Sequence, residues 1–170
     1  MLRRAGFAPQ NETLVMTRAL TLSTRSAHAA SPFQGKELRV ELVETPDETI
    51  WSPMRAAAPS AEDFAERQDI VSRITAPRVF ARASRDGRPA AIGMGVLTDD
   101  LLGLSLMRTA PDARRRGLAR AIVNALLNWG AVRGAASAYL QVEKSNAEAV
   151  ALYETAGFTK AYSYWYWRRA

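Results

Sequence analysis

Apolar and polar residues alternate along most of the chain after its first 35 residues, and the period of the alternation changes from segment to segment. Residues 38–43 alternate with a period of two, which predicts a half-buried strand. The dipeptide Asp86-Gly87 is typical of a tight hairpin turn, and two strand-like runs flank it, residues 79–84 and 90–98. Residues 101–107 are apolar at odd and even positions alike, so we expect a central strand covered on both faces.

Two short helices are predicted between the first of these strands and the hairpin. Thr45 begins a capping-box pattern with Pro46 at the first helical position, and Pro53 is expected to interrupt or kink this helix. Ser60, with Asp63 three residues later, caps the second helix.

A longer amphipathic helix follows the central strand, and a shorter one follows the next strand, residues 138–142. The apolar stripe of the longer helix is spaced at three and four residues and comprises Leu118, Ile122, Leu126, Trp129 and Arg133. Ser145 and Glu148 form a capping-box pattern for the shorter helix. The chain then closes on an aromatic strand, residues 162–169.

The first 35 residues do not share this regular pattern. Glu12 is the single acidic residue up to residue 30, and the segment ends in Ser-Pro-Phe-Gln-Gly, which reads as a linker. The triplet at 5–7, Ala-Gly-Phe, repeats the triplet at 156–158. We interpret residues 1–35 as a basic extension or linker, with an extra strand or a remnant of a second related unit as alternatives. Residues 36–170 are interpreted as one domain.

Composition narrows the function classes. The 170 residues are 48% hydrophobic and include no cysteine and one histidine, His28, so disulfides, thiol catalysis and cysteine-ligated metals are excluded and we expect no metal site. No apolar run approaches the roughly 18 residues that a membrane helix needs, so we expect a cytoplasmic protein without a membrane partner. The net charge of +6 favours a phosphate-bearing partner, either a nucleotide cofactor or a nucleic acid.

The run Arg114-Arg115-Arg116-Gly117-Leu118-Ala119 stands between the central strand and the longer helix. Backbone N–H groups at a helix N-terminus have no intrahelical partner, and they lie at the positive end of the helix dipole. Arginines add charge-assisted donors, and glycine keeps the turn free of a Cβ. The run therefore predicts an anion cradle, and a solvated basic turn or a nucleic-acid-binding cluster is the alternative.

A second motif lies about thirty residues further along and is formed by Asn146, Ala149, Leu152, Tyr153, Gly157 and Phe158. Together the two motifs resemble those of the GNAT superfamily of acyl-CoA-dependent N-acyltransferases. The resemblance implies an α/β (α+β) fold, in which helices flank a mixed β-sheet that is splayed at its centre, between the strands at 101–107 and 138–142. It also implies acetyl-CoA as the acyl donor and cosubstrate.

The same resemblance implies roles for individual residues. Backbone groups of Met107, Arg108 and Thr109 are expected to pair with the pantetheine arm, and Asn146 to contact it from the other side. The residues expected to hold the pyrophosphate are Arg114, Arg115, Arg116, Gly117, Leu118, Ala119 and Arg120. Tyr153 is expected to protonate the departing thiolate, with a core tyrosine as the alternative.

The general base is where the sequence departs from part of the superfamily. Some members carry a glutamate where this chain has Gln141, and an amide cannot accept the proton. Glu143, two residues further along the strand, is the candidate base, and a solvated carboxylate or a water relay is the alternative.

The acceptor is expected to be a primary amine on a small molecule or a peptide, and N-terminal protein acetylation is not the first choice. We assign three apolar residues to the hydrophobic core, with a role in shaping a substrate pocket as the alternative: Trp51, Met54 and Phe64. The rival interpretations are a non-catalytic acyl-CoA-binding module and a basic nucleic-acid-binding protein, and the sequence leaves a homodimer open.

Overall fold

A computed structural model describes residues 2–20, 38–56 and 58–169. The chain divides into two compact units: residues 19–138 form the larger one, and residues 1–18 with 139–170 form the smaller one. The predicted boundary between residues 35 and 36, and His28, lie outside the described residues. Both units combine strands with helices, so the predicted α+β class is confirmed.

The larger unit contains four strands that pair in chain order, each antiparallel to the next. Its elements are β2 (Leu38–Val43), α1 (Glu48–Ala56), α2 (Ala61–Ser72), β3 (Arg78–Arg85), β4 (Arg88–Thr98), β5 (Leu101–Thr109) and α3 (Leu118–Val132). Asp86 and Gly87 have φ values of 50° and 75°, so the predicted hairpin turn between β3 and β4 is confirmed. The bounds of these four strands therefore lie within two residues of those predicted from the sequence, although Leu42 of β2 is 43% exposed.

The core of the larger unit has two parts. Helix α3 contacts β3, β4 and β5 through its predicted stripe, in which Leu118, Ile122, Leu126 and Trp129 are buried. A second cluster is formed by Ile50, Met54, Phe64, Val71, Phe80, Ile92 and Met94. The ring of Trp51 packs edge-on against Phe64, 6.0 Å between centroids. The assignment to the core is thus confirmed for Met54 and Phe64, whereas Trp51 is half-buried and packs against the cluster.

The smaller unit places the N-terminal strand inside its sheet. Its elements are β1 (Phe7–Ala19), β6 (Ser137–Glu143), α4 (Ala147–Thr155) and β7 (Thr159–Arg169), with the strand order β6-β1-β7. Strand β1 runs antiparallel to β7, from the pair Phe7 and Arg169 to the pair Thr17 and Thr159. Residues 14–16 of β1 are buried, so this segment contributes apolar surface to the unit.

Three expectations about local structure are wrong. Asp47, not Thr45, caps α1, because its Oδ1 accepts from the N–H groups of Thr49 and Ile50, and the helix then continues through Pro53. Strand β5 is not covered on both faces, since Leu101 is 38% exposed.

The third concerns α4, which is capped by Asn146 and not by Ser145. The Asn146 side chain accepts from the N–H of Ala149. Among the residues placed by the structure, no helix has the length and apolar character needed to cross a membrane.

Candidate functional site

Strand β5 carries a bulge just before the candidate cradle. Met94 pairs with Ser105 and Ile92 pairs with Arg108, so two residues of β5, at 106 and 107, lie opposite Gly93. Leu106 takes a left-handed φ of 54° there. A bulge leaves one residue outside the regular hydrogen-bond ladder, so the main chain of β5 turns away from β4 at this point.

Two of the residues expected to meet the pantetheine arm lie at this bulge. The carbonyl oxygen of Met107 accepts from Nη1 of Arg108 at 2.8 Å. This contact uses one of the two lone pairs of the Met107 carbonyl oxygen. Thr109 follows at the end of β5, where it pairs with Ala91.

A tight turn connects β5 to α3. A 3-10 turn at Pro111–Ala113 comes first, and the chain then takes φ values of 58° at Arg115 and 80° at Gly117. Gly117 is the N-cap of α3 in the left-handed conformation and makes no side-chain cap. A Cβ at Gly117 would meet no atom within 4 Å, so the glycine is required by its φ and not by crowding.

The turn is anchored at both ends and exposed in between. Ala113 and Leu118 are buried, at 7% and 2% exposure, whereas residues 114–117 are exposed. Arg120 is exposed in the first turn of α3, and Ala119 is half-buried beside it. The predicted cradle residues are therefore brought together on one exposed turn whose ends are fixed in the core.

The N-termini of the four described α-helices differ in charge and capping. Side chains of Asp47, Ser60 and Asn146 cap α1, α2 and α4, and each of these helices has an acidic residue in its first turn. Helix α3 has neither a side-chain cap nor an acidic residue there. Because nothing on the helix itself neutralises the positive end of its dipole, α3 is the terminus best suited to an anion.

The remaining candidates belong to the smaller unit. Oδ1 of Asn146 is used in the cap of α4, which leaves its Nδ2 group as the donor for a ligand. Tyr153 is 6% exposed, and its ring lies edge-on to Phe158 with 6.1 Å between centroids. The predicted gap between the strands at 101–107 and 138–142 involves both units and stays a prediction.

Glu143 and Gln141 both lie on the exposed face of β6, as the strand period predicts. Oε1 of Glu143 accepts from Nδ2 of Asn11 at 3.2 Å. Gln141 accepts from the hydroxyl of Tyr164. A hydrogen bond with the Tyr166 hydroxyl raises the pKa of Tyr164 above its ordinary value, so this phenol stays protonated.

Two residues near the candidate catalytic groups were missed by sequence reasoning, Asn11 and Arg18. Asn11 reaches Glu143 across 132 positions of sequence, and Arg18 reaches the carbonyl of Ala156 across 138. Contacts at such separations have no local signature. The repeated Ala-Gly-Phe triplet was the one sequence signal that joined these two regions.

Comparisons with known proteins agree with this architecture. A family model described as "Probable histone acetyltransferase Rv0428c C-terminal" matches residues 1–167 of the chain. The ribosomal protein bS18-alanine N-acetyltransferase of Escherichia coli strain K12 is 37% identical over 78 residues, which are 46% of this chain and 53% of that protein. The chain thus spans about half the length of the curated relatives it matches.

Solved structures share the fold at lower identity. A GCN5-related N-acetyltransferase from Sphaerobacter thermophilus has a TM-score of 0.74 at 18% identity, over 96% of this chain and 53% of that chain. AAC(6')-Iy in complex with the bisubstrate analogue CoA-S-monomethyl-acetylneamine has a TM-score of 0.62 at 13% identity, over 78% and 99%. A Novosphingobium aromaticivorans protein described as an acetyltransferase from the GNAT family shares the fold, with a TM-score of 0.60 at 23% identity over 93% of this chain and 64% of that chain. Because the family model covers almost the whole sequence, the chain belongs to the family described as "Probable histone acetyltransferase Rv0428c C-terminal".

Proposed function

We propose that this chain transfers an acetyl group from acetyl-CoA to a primary amine. The observation that carries the proposal is the N-terminus of α3, which begins at a left-handed glycine without an acidic residue in its first turn. A diphosphate suits such a terminus, because unpartnered N–H groups and the helix dipole both favour negative charge. The exposed arginines at 114, 116 and 120 add donors around it.

In this proposal each part of the site has one binding task. The pyrophosphate is held by the turn and first helical residues, Arg114, Arg115, Arg116, Gly117, Leu118, Ala119 and Arg120. Main-chain groups of Met107, Arg108 and Thr109 pair with the pantetheine arm. Asn146 offers its Nδ2 group to the same arm. The CoA-linked analogue bound to AAC(6')-Iy, which has the same fold, supports this choice of ligand.

Acetyl-CoA supplies an acyl carbon that the thioester already activates. A phenol is protonated at neutral pH, so the hydroxyl of Tyr153 can donate its proton to the departing sulfur. It then regains a proton from solvent. Glu143 accepts the proton that the attacking amine loses. The main-chain N–H of Met107 donates to the acyl oxygen, where negative charge develops.

The acceptor class is a primary amine, on a small molecule or a peptide. The family description names histones and the Escherichia coli relative is named for a ribosomal-protein alanine, so both kinds of amine belong in the test. We propose to assay thiol release from acetyl-CoA with a lysine-containing peptide, a peptide that begins with alanine, and free polyamines.

Isothermal titration with acetyl-CoA tests the binding step before any acceptor is known. We expect saturable binding, and absence of heat at millimolar ligand would exclude the proposal. Binding without thiol release for any amine would instead favour the non-catalytic acyl-CoA-binding module. A shift of labelled DNA or RNA that weakens steeply with salt would favour the nucleic-acid alternative.

Tyr153→Phe tests the proton donor. We expect the turnover number to fall about a hundredfold, in the range for loss of a general acid, while the dissociation constant of acetyl-CoA changes less than about twofold. Tyr162→Phe is the matched control, because Tyr162 is 59% exposed on β7 and has no assigned role. Equal turnover of the Tyr153→Phe variant and the control would remove Tyr153 from the mechanism.

A further inference from the structure

The N-terminal strand is an internal part of the smaller unit, although the sequence suggests an extension. Strand β1 lies between β6 and β7 and pairs with β7 over most of its length. On the other side, the N–H of Lys144 donates to the carbonyl of Glu12 at 2.9 Å. The family match also begins at residue 1. Strand β1 therefore has the contacts needed to influence the candidate catalytic residues.

Arg18, near the end of β1, contacts the C-terminal end of α4. Its Nη1 donates to the carbonyl oxygen of Ala156 at 2.5 Å, and its guanidinium lies beside Gly157. Ala156 is the C-cap of α4, where carbonyl groups lack intrahelical partners and the helix dipole is negative. A cation at this point satisfies the carbonyl and stabilises the helix end. Partial burial lowers the pKa of Arg18, because it removes some of the water that solvates the charged guanidinium.

The same helix end fixes Tyr153. The N–H of Phe158 donates to the carbonyl of Tyr153 at 3.0 Å, and the N–H of Gly157 donates to the carbonyl of Glu154 at 2.9 Å. With Gly157 at a φ of 81°, these bonds form a Schellman motif. In this motif the side chain three residues before the C-cap packs against the side chain two residues after it. Here those side chains are Tyr153 and Phe158, whose rings meet edge-on. The direction of the tyrosine ring thus depends on the geometry of the cap.

We propose that Arg18 is a positioning residue for Tyr153. By closing the C-terminal cap of α4, it holds the Tyr153–Phe158 ring pair, and with it the phenol, in one orientation. The role in turnover rests on the proposed function. The contact lies at the C-terminal end of α4, whereas Asn146, which is proposed to contact CoA, caps its N-terminal end. The cradle around Gly117 belongs to the larger unit. Loss of Arg18 is therefore expected to change the chemical step and not the binding of acetyl-CoA.

Steady-state kinetics of the full chain test this role. For Arg18→Ala we expect the turnover number to fall about tenfold, within the range for a misplaced catalytic group, and the KM for acetyl-CoA to stay within about twofold. Arg18→Lys keeps the charge with one donor group and is expected to recover part of the loss. Arg4→Ala, an exposed arginine in the 3-10 turn at Leu2–Ala5, is the control.

A double-mutant cycle separates positioning from a general structural effect. If Arg18 acts through the phenol, Arg18→Ala in a Tyr153→Phe background lowers turnover no further. Multiplication of the two losses would overturn the proposal, as would a raised KM with unchanged turnover.

Hydrogen exchange gives a readout that does not need activity. In Arg18→Ala we expect the amides of Gly157 and Phe158 to exchange about tenfold faster or more, with a smaller increase in Arg18→Lys and with amides in the middle of α3 unchanged. Unchanged protection at 157 and 158 would overturn the proposal. If the unaltered chain fails to release thiol in every assay, the proposed function fails, and the exchange result still decides whether Arg18 holds this cap.

Discussion

The two glycines at the ends of α3 allow stability and ligand binding to be separated. Gly117 precedes the helix with a φ of 80°, and Gly134 follows it with a φ of 95°. A methyl group at either position would meet no atom within 4 Å. Substitution by alanine therefore adds backbone strain without a clash, at about 1 to 2 kcal/mol for a left-handed residue. For a chain of this size, each kcal/mol lowers the melting temperature by about 2–4 °C.

The two variants are expected to differ in acetyl-CoA binding. In Gly117→Ala, φ moves away from the left-handed region, and the first N–H groups of α3 no longer point together at the diphosphate. Gly134 lies at the opposite end of the helix. We expect Gly117→Ala to weaken acetyl-CoA binding about tenfold, which is about 1.4 kcal/mol, and Gly134→Ala to leave it within about twofold. Thermal unfolding and isothermal titration in one buffer give both quantities for each variant.

Two outcomes would refute this reasoning. Equal dissociation constants for Gly117→Ala and Gly134→Ala, at similar losses of stability, would mean that the amides of the α3 N-terminus do not bind the diphosphate. A raised dissociation constant in Gly134→Ala as well would mean that the affinity for acetyl-CoA depends on the overall stability of the protein and not on the cradle. The stability loss itself is the internal control, because it must appear in both variants.

Further predictions concern packing and pH. A methyl group at Gly93 would lie 2.5 Å from Sδ of Met107, so we expect Gly93→Ala to lower the free energy of unfolding in urea by about 1–3 kcal/mol. Gly95→Ala, where the nearest atom is 3.3 Å away, should cost less. The hydrogen bond from Arg82 lowers the pKa of Glu41 below its ordinary 4.5, so this pair stabilises the fold above that pH and loses its effect as pH falls. Arg82→Gln should therefore destabilise the protein at neutral pH and much less in acid, by thermal unfolding.

Local periodicity predicted much of the fold because burial is decided one element at a time. The stripe of α3 is an example, since spacings of three and four residues place Ile122 and Leu126 on one helix face, and both are fully buried. The cap of α4 shows the limit of such patterns. Ser145 and Asn146 are both good capping residues one position apart, and the sequence alone does not choose between them.

Non-local pairing could not be predicted in the same way. The basic turn at Gly117 and the Asn-to-Tyr spacing are contiguous in sequence, so the candidate binding and catalytic groups were recognisable. The position of β1 between β6 and β7 depends on contacts more than 130 residues apart, such as that of Arg18 with Ala156. An amphipathic strand near a chain terminus has the same local pattern whether it lies at an edge or inside a sheet. The position of β1 inside the sheet could therefore be seen only in the structure.

In the proposed function, the two helices that bear the candidate residues use opposite ends for different tasks, and the charges at those ends are consistent with this division. At the N-terminus of α4, Asn146 already satisfies one backbone N–H and Glu148 lies in the first turn, so a diphosphate is disfavoured there. At its C-terminus, the cation of Arg18 meets the negative end of the dipole and the cap fixes Tyr153. Helix α3 has the reverse arrangement, an N-terminus without a side-chain cap or first-turn acid at Gly117. The proposed function therefore assigns binding of the diphosphate to the start of α3, and proton transfer to Tyr153 near the end of α4.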